Sequence, residues 1–387
     1  MLLENDFESD SRVKKEAHAL HEAGFEVVVA AITMTGPSIK EKRADCLLYK
    51  RRISSFILKT SVGALKFPFY FNFWRKYIKF IFSENLFDII HVNDLPLCKV
   101  GSEIKKQYGM KMVADLHENW PALIKNARHT TTLAGRLLSS DKQWRRYERK
   151  ILKDADLVIT IIDEAMERII DLGIDPAKIC MVSNTIDIDD IPPLTEKSTG
   201  NILTIFYGGA INRHRGLQVV LEAISLLNHK NIKLNFDIVG SGSYRADLEK
   251  LALKLGISSQ VNFRGHKPFH EMTRILAMSD AAIIPHLRTE NNDASSPNKL
   301  YHYMYLEKPV ISSDCKSLKR ILDETGAGFT YRSDSAGDLA LLLEKLNAER
   351  NLLQEKGEKG KAAVLSKYNW SADKERLLKG YNSIILK

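Results

Sequence analysis

Short, almost unbroken apolar runs recur along the chain, and each is separated from the next by a stretch of helical period. "FEVVVAAI" (Phe25–Ile32), "FDIIHVND" (Phe87–Asp94), "MKMVADLHE" (Met110–Glu118), "DLVITII" (Asp156–Ile162) and "KICMVSNTID" (Lys178–Asp187) occupy the first half. "ILTIFYGG", "LNFDIVGSGS", "VNFRG", "AAIIP" and "KPVISSD" occupy the second. A strand that faces water on one side alternates polar and apolar residues. A run apolar at every position is buried on both faces, which requires parallel strands with crossover helices packed on both sides. The first helix reads from Ser11 and stops at Gly24, a good residue for leaving a helix. The predicted fold class is α/β, with two doubly wound Rossmann-like domains. Ligands of such sheets bind beyond the carboxyl ends of the strands, here in a cleft that the two domains are expected to face across.

Between Ile188 and Asn201 the sequence "IDDIPPLTEKSTGN" has no apolar period. It marks a linker at 191–200 between a first domain of 1–190 and a second of 201–370. Residues 371–387 are expected to form a helix that packs back toward the first domain. A chain of 387 residues is long enough for two cores. Its 4 cysteines form no CxxC pair, which argues against a disulfide framework or a zinc site and fits a reducing compartment. The start "MLLENDFESDSRV" lacks a basic region followed by an apolar core, and no uncharged apolar run is long enough for a membrane-spanning helix. The expected location is cytoplasmic.

The net charge of +9 is unevenly spread. From Arg51 to Phe82, "RRISSFILKTSVGALKFPFYFNFWRKYIKFIF" holds seven Lys or Arg and ten aromatics, with no Asp or Glu. Cations interleaved with rings suit an anionic membrane surface, which would make the protein peripheral on the inner face. The competing reading is a pair of core-packed helices with a solvated basic face. Single-stranded nucleic acid is a weaker third alternative, and the reading names no nucleic-acid partner.

Four stretches could carry chemistry. In "FYGGAINRHRG" a strand ends on Gly208 and Gly209, and a helix begins after Arg215 and Gly216. Glycines admit a ligand close to the backbone, while a helix N-terminus with Arg213 and Arg215 suits a diphosphate. The alternative is an ordinary turn with two exposed arginines. In "IVGSGSYRADLE", Gly240 and Gly242 sit at a similar turn, and a tight turn needing positive φ accounts for both. In "SPNKLYH", Ser296 is read as the N-cap and Pro297 as the first helical residue. Asn298, Lys299 and His302 then share one helical face. In "VADLHENWP", Asp115, His117 and Glu118 stand at a strand's carboxyl end, where His117 could be an acid, a base or a hydrogen-bond donor. A structural histidine is the competing reading. "DIDD" (Asp187–Asp190) has metal-like spacing but sits at the linker, where acids are usually solvated. "HALH" and "HKPFH" lack a full zinc ligand set.

Taken in order, "SDSRVKKEAHALHEAGFEVVVAA", "IIHVNDLP", "MVADLHENWP", "YGGAINRHRG", "IVGSGSYRADLEKLALKLG", "VNFRGH" and "SPNKLYHYMYLEKPVISSD" resemble a family 4 glycosyltransferase of GT-B architecture. The resemblance implies a nucleotide-sugar donor (UDP- or GDP-) on the second domain. It also implies a saccharide or lipid-linked acceptor on the first, and transfer with retention. No cofactor or metal is expected, because helix N-termini and cations would hold the diphosphate. Arg215 matches the family's basic residue before the glycine of the first second-domain helix. His117 matches the histidine that approaches the transferred sugar, with Asp94, Asp115 and Glu118 on the acceptor side. His266 matches a position near the base.

The sequence also departs from the family pattern. The usual arginine six positions before Arg215 is Gly209, which implies either that one diphosphate cation is missing or that Arg213 replaces it. Ala294 and His302 occupy the positions of the family's two glutamates, and Asp293 or Glu290 could supply an acid instead. These losses raise the alternative of a non-catalytic binding or scaffolding relative. A sugar-nucleotide epimerase is a less favoured enzymatic rival. "MLLEND" reads as a stub of the expected first strand, which would leave the edge of the first sheet incomplete.

Overall fold

The computed structural model describes residues 1–8, 10–125, 127, 130, 132–191 and 200–385. Most of the 191–200 linker therefore lies outside the described residues. The chain divides into two compact units, Met1–Ser183 with the chain from Asp373 onward, and Asn184–Ala372.

The first unit contains strands β1 (Val28–Thr33), β2 (Ile39–Lys42), β3 (Leu47–Arg52), β4 (Ile89–Asn93), β5 (Lys111–Leu116), β6 (Leu157–Thr160) and β7 (Ile179–Met181). The order is β1-β3-β2 in one set and β4-β5-β6-β7 in the other, parallel except for the β2–β3 pair. Leu2 joins the two sets through parallel bridges to Ala30 of β1 and Val92 of β4. The N-terminal stub therefore lies in the middle of the sheet and not at its edge. The Leu2 amide donates to His91 O at 2.8 Å, and Leu3 donates to Ala30 O at 3.0 Å. A short segment holds this position because both its neighbours offer ladder groups.

Two other readings change. The β2–β3 hairpin was not foreseen, because β2 is an exposed polar edge that carries no apolar period. β7 is only three residues long. Beyond it the Ser183 amide donates to Asp373 Oδ1 at 2.9 Å, and Arg12 Nη1 donates to Val182 O at 2.9 Å, so side chains replace the ladder. Helix Ser11–Glu22 is capped by Asp10, whose carboxylate accepts from the Val13 amide. The basic aromatic stretch forms a short helix at Ser55–Lys59 and a longer one at Phe69–Phe82. The longer helix buries Tyr70, Phe71, Trp74, Tyr77, Ile78 and Ile81. Those rings belong to the core, while Phe56, Phe67, Phe69 and Phe80 stay exposed.

The second unit is a six-stranded, wholly parallel sheet. Its strands are β8 (Leu203–Gly208), β9 (Leu234–Val239), β10 (Val261–Gly265), β11 (Ala281–Ile284), β12 (Val310–Ser313) and β13 (Gly328–Tyr331), in the order β10-β9-β8-β11-β12-β13. The reversal of order beside β8 is where such sheets bind ligands. At this point the turns after β8 and β9 pack directly on one another. Gly240 has φ of 145°, and a Cβ there would overlap the carbonyl of Gly209. Gly242 does not lie at positive φ; its missing side chain leaves room for the Ile211 carbonyl.

This packing yields a prediction. Gly240→Ala strains the backbone and collides with a neighbouring main chain, so it destabilises by more than about 1 kcal/mol. Gly337→Ala, in a helix with open space around it, leaves stability unchanged or raised by up to about 1 kcal/mol. Urea unfolding midpoints of the two variants test the contrast.

Candidate functional site

In the first unit the polar residues gather at the carboxyl end of β5. Asp115 is fully buried. Its Oδ1 accepts from Arg12 Nη2 at 2.9 Å and its Oδ2 lies 3.0 Å from His117 Nε2. His117 Nδ1 is 3.8 Å from Asp94 Oδ2. Asp94 follows β4 with φ of 67°, and its amide donates to the Asp115 carbonyl at 2.8 Å. A non-glycine residue in this region is uncommon, although Asp tolerates it better than most. Arg12 is placed by helix Ser11–Glu22, on a buried stripe with Val13, Glu16, Ala17 and Leu20. Its Nε lies 3.0 Å from Glu16 Oε1. His91 of β4 completes the cluster, with Nδ1 2.6 Å from the hydroxyl of Tyr381.

The charge states follow from this arrangement. Burial would raise Asp115, but Arg12 and His117 hold it well below the usual carboxylate range. Burial would lower His117, but Asp115 and Asp94 outweigh it and lift the imidazole to about 9. Burial pushes Glu16 up to about 8, despite Arg12 beside it. At neutral pH His117 is thus an imidazolium, a donor with no free lone pair. Of the three roles open from sequence, acid and hydrogen-bond donor fit this state, and base does not. Glu16, His91 and Asp115 have ligand atoms within 4.8 Å of one another, spacing that could hold a metal ion. The Arg12 guanidinium already lies between two of these carboxylates and supplies the positive charge. Glu118 is exposed.

In the second unit, β8 delivers Tyr207, Gly208 and Gly209 to the strand-order reversal. Helix Lys299–Tyr305 is tied to them, because the Gly208 amide donates to Tyr303 Oη at 2.9 Å. Lys299 Nζ sits 4.2 Å from the Tyr207 ring centroid and lies against Gly209. Arg215 Nη1 donates to His286 Nε2 at 3.0 Å. His286, just past β11, is buried and held well below its ordinary pKa, by burial first and by Arg215 second. Lys299 is lowered to about 7 by burial and by Arg215. Among the described residues no carboxylate pairs with Arg215 or Lys299, so two cations converge beside a glycine turn without a counter-charge. Such an arrangement suits an anion.

The other candidates are dispersed. Ser296 does not cap a helix; it is buried and donates to Tyr301 Oη at 2.9 Å. The helix starts at Lys299, and its N-cap position, Asn298, makes no side-chain cap. Arg213 and Asn298 are exposed. His266 is exposed, following Gly265, whose carbonyl accepts from the Gly240 amide at 2.8 Å. The His302 ring packs 5.1 Å from the Phe269 ring. Ala294 is buried. Asp293 accepts from Arg288 Nε at 3.1 Å and from the Lys316 amide at 3.0 Å, so its carboxylate serves the fold. In "DIDD", Asp187 accepts from the Asp189 amide and closes its own turn.

Sequence reasoning missed Arg12, Glu16, His91, Tyr381, Tyr207 and His286. The signal for the first two was present: charges at i and i+4 on an apolar helical stripe. Arg12→Met should leave Asp115 and Glu16 buried without the arginine they share and destabilise by about 3–5 kcal/mol. Arg12→Met/Asp115→Leu should recover most of that loss in a denaturant titration.

Residues 189–363 match the model for glycosyl transferases group 1, and residues 11–190 match that for glycosyltransferase family 4. The putative colanic acid biosynthesis glycosyltransferase WcaL of Salmonella typhimurium is 22% identical over 200 residues, 51% of this chain and 49% of that protein. The chain thus spans about half the length of the curated relatives it matches. Sucrose-phosphate synthase from Thermosynechococcus elongatus superposes with a TM-score of 0.76 at 16% identity, over 100% of this chain and 98% of that one. Anabaena HepE in complex with UDP-glucose gives 0.66 at 12%, over 99% and 98%. These likenesses show the fold, and with both halves matched, the chain belongs to the family 4, group 1 glycosyltransferases of GT-B fold.

Proposed function

We propose that this glycosyltransferase moves a hexose-type sugar from a UDP- or GDP-sugar to a saccharide or lipid-linked acceptor, with retention and without a metal. The observation that carries the donor half is the uncompensated pair Arg215 and Lys299 beside Gly209. A diphosphate supplies the missing negative charge and favours the protonated form of Lys299, so that Arg215 and Lys299 together do the work that a divalent ion would otherwise do. Gly209, which faces the Lys299 side chain, lets the ligand approach the main chain, and His302 and His266 contact the ribose or base. In the first unit, the His117 imidazolium is the group that donates to the transferred sugar or leaving oxygen, with Asp94 and Asp115 fixing its charge and direction. WcaL is named for colanic acid biosynthesis, which favours surface polysaccharide or glycoconjugate assembly for this chain too. Among the described residues no helix is long and apolar enough to cross a membrane. The basic aromatic stretch supports a cytoplasmic enzyme that is peripheral on the inner face of the membrane.

Ala294 and His302, at the positions of the family glutamates, favour a second reading. In it the protein binds a nucleotide sugar but does not turn it over, and acts as a scaffold. A thermal-shift panel of UDP- and GDP-sugars, followed by donor hydrolysis, separates the two. Binding together with turnover supports the transferase, and binding alone supports the scaffold. His302→Glu should tighten donor binding if residue 302 occupies the usual acid's place. Unchanged or weaker binding removes His302 from the ribose site.

Lys299 gives a pH test. Its lowered pKa of about 7 means that above this pH the empty site holds neutral lysine, so binding a diphosphate must take up a proton. The dissociation constant for UDP should rise with pH above about 7, by up to about tenfold per pH unit. Lys299→Met should bind UDP more weakly and lose this slope. A parallel slope in the variant would show that another group carries the proton.

A further inference from the structure

The exposed rings of the basic aromatic stretch do not stand alone. A Cβ built on Gly63 would lie 3.2 Å from the Phe67 ring and 4.0 Å from a methyl of Leu138. Two segments some seventy residues apart in sequence therefore meet on one surface. Phe56 is 68% exposed, Phe67 47% and Phe69 51%, and the last two stack at 6.4 Å. Helix Leu133–Leu138 adds Leu133 at 86% and Leu137 at 71%. Lys59, Lys66 and Arg136 are exposed on the same segments. The second segment also lacks acids: Lys125 to Ser140, "KNARHTTTLAGRLLSS", has no Asp or Glu. The core explains none of these apolar groups, since the longer helix spends its other face on the core.

We infer that Phe56, Phe67, Phe69, Leu133 and Leu137, ringed by Lys59, Lys66 and Arg136, form a docking surface for an anionic lipid bilayer. Apolar groups this exposed on two neighbouring segments mark an interaction surface. The cations select an acidic partner, and lipid headgroups are acidic. Leucines have no flat face on which a base can stack, which disfavours single-stranded nucleic acid. A second copy placed face to face would set cations against cations. The inference deepens the proposed inner-membrane reading by naming its surface, and it adds helix Leu133–Leu138, which the sequence reading did not include.

The test is sedimentation of the full chain with phosphatidylcholine vesicles, with and without phosphatidylglycerol. The protein should bind only the anionic vesicles and release at high salt. Leu133→Ser/Leu137→Ser and Phe67→Ser/Phe69→Ser should each lose at least about tenfold in binding. Lys59→Glu/Lys66→Glu should lose more than about fivefold. All three should keep the parent melting temperature, because the altered groups are exposed. Equal binding to both vesicle types, no binding, or binding that the variants leave intact would overturn the proposal. So would an oligonucleotide affinity or a self-association that the same variants abolish. No outcome depends on donor turnover, so failure here leaves the transferase reading standing, and failed turnover leaves this surface standing.

Discussion

Parallel pairing sends the carboxyl ends of β8, β9, β11 and β12 to one margin of the second sheet, and those of β4, β5 and β6 to one margin of the first. Strand interiors are closed on both faces, so they admit only apolar side chains or fully paired polar ones. Groups able to meet a ligand are therefore confined to the turns that leave these ends. Gly209, Lys299, Arg215 and His286 are brought together by this rule although they span ninety residues of sequence. Asp94, Asp115 and His117 are brought together in the same way in the first unit.

The two units handle charge in opposite ways. In the first, Asp115 is buried but compensated, with Arg12 on one oxygen and His117 on the other. Burying charge is tolerable only when it is paired, and here the pairing sets the protonation of the histidine that reaches the strand end. In the second unit Arg215 and Lys299 repel each other, and no described acid relieves them. An anion placed between them would relieve that repulsion.

The glycines show how one residue type serves two ends. Gly240 and Gly242 are demanded by the close packing of two turns, so the fold alone accounts for them. Gly209 lies against the Lys299 side chain, which brings the ammonium over the Tyr207 ring. The basic aromatic stretch divides similarly. Trp74 and Tyr77 are core residues, whereas Phe56 and Phe67 are surface ones, and composition treats all four alike.

Much of the fold was legible in the sequence because its signal is local. Apolar runs identified five of the six strands of the second unit, missing the short edge strand β13, and Gly24 stopped the first helix where a C-terminal glycine should. The polar strand β2 and the central placement of Leu2 were not legible, since an edge strand needs no apolar period and a stub's neighbours are set by distant segments. Ser296 looked like a helix cap because capping is read from adjacent residues, but its hydroxyl found Tyr301 in the core. His117, Arg215 and Lys299 could be named from sequence by position at strand ends and helix starts. The groups that contact them or their partners, Arg12, Tyr207 and His286, could not be assigned to them. Periodicity determines which residues are inside and which turns are at the strand ends. Only the tertiary structure decides which charges meet there, because Coulomb interactions and burial depend on distance in space and not on separation in sequence.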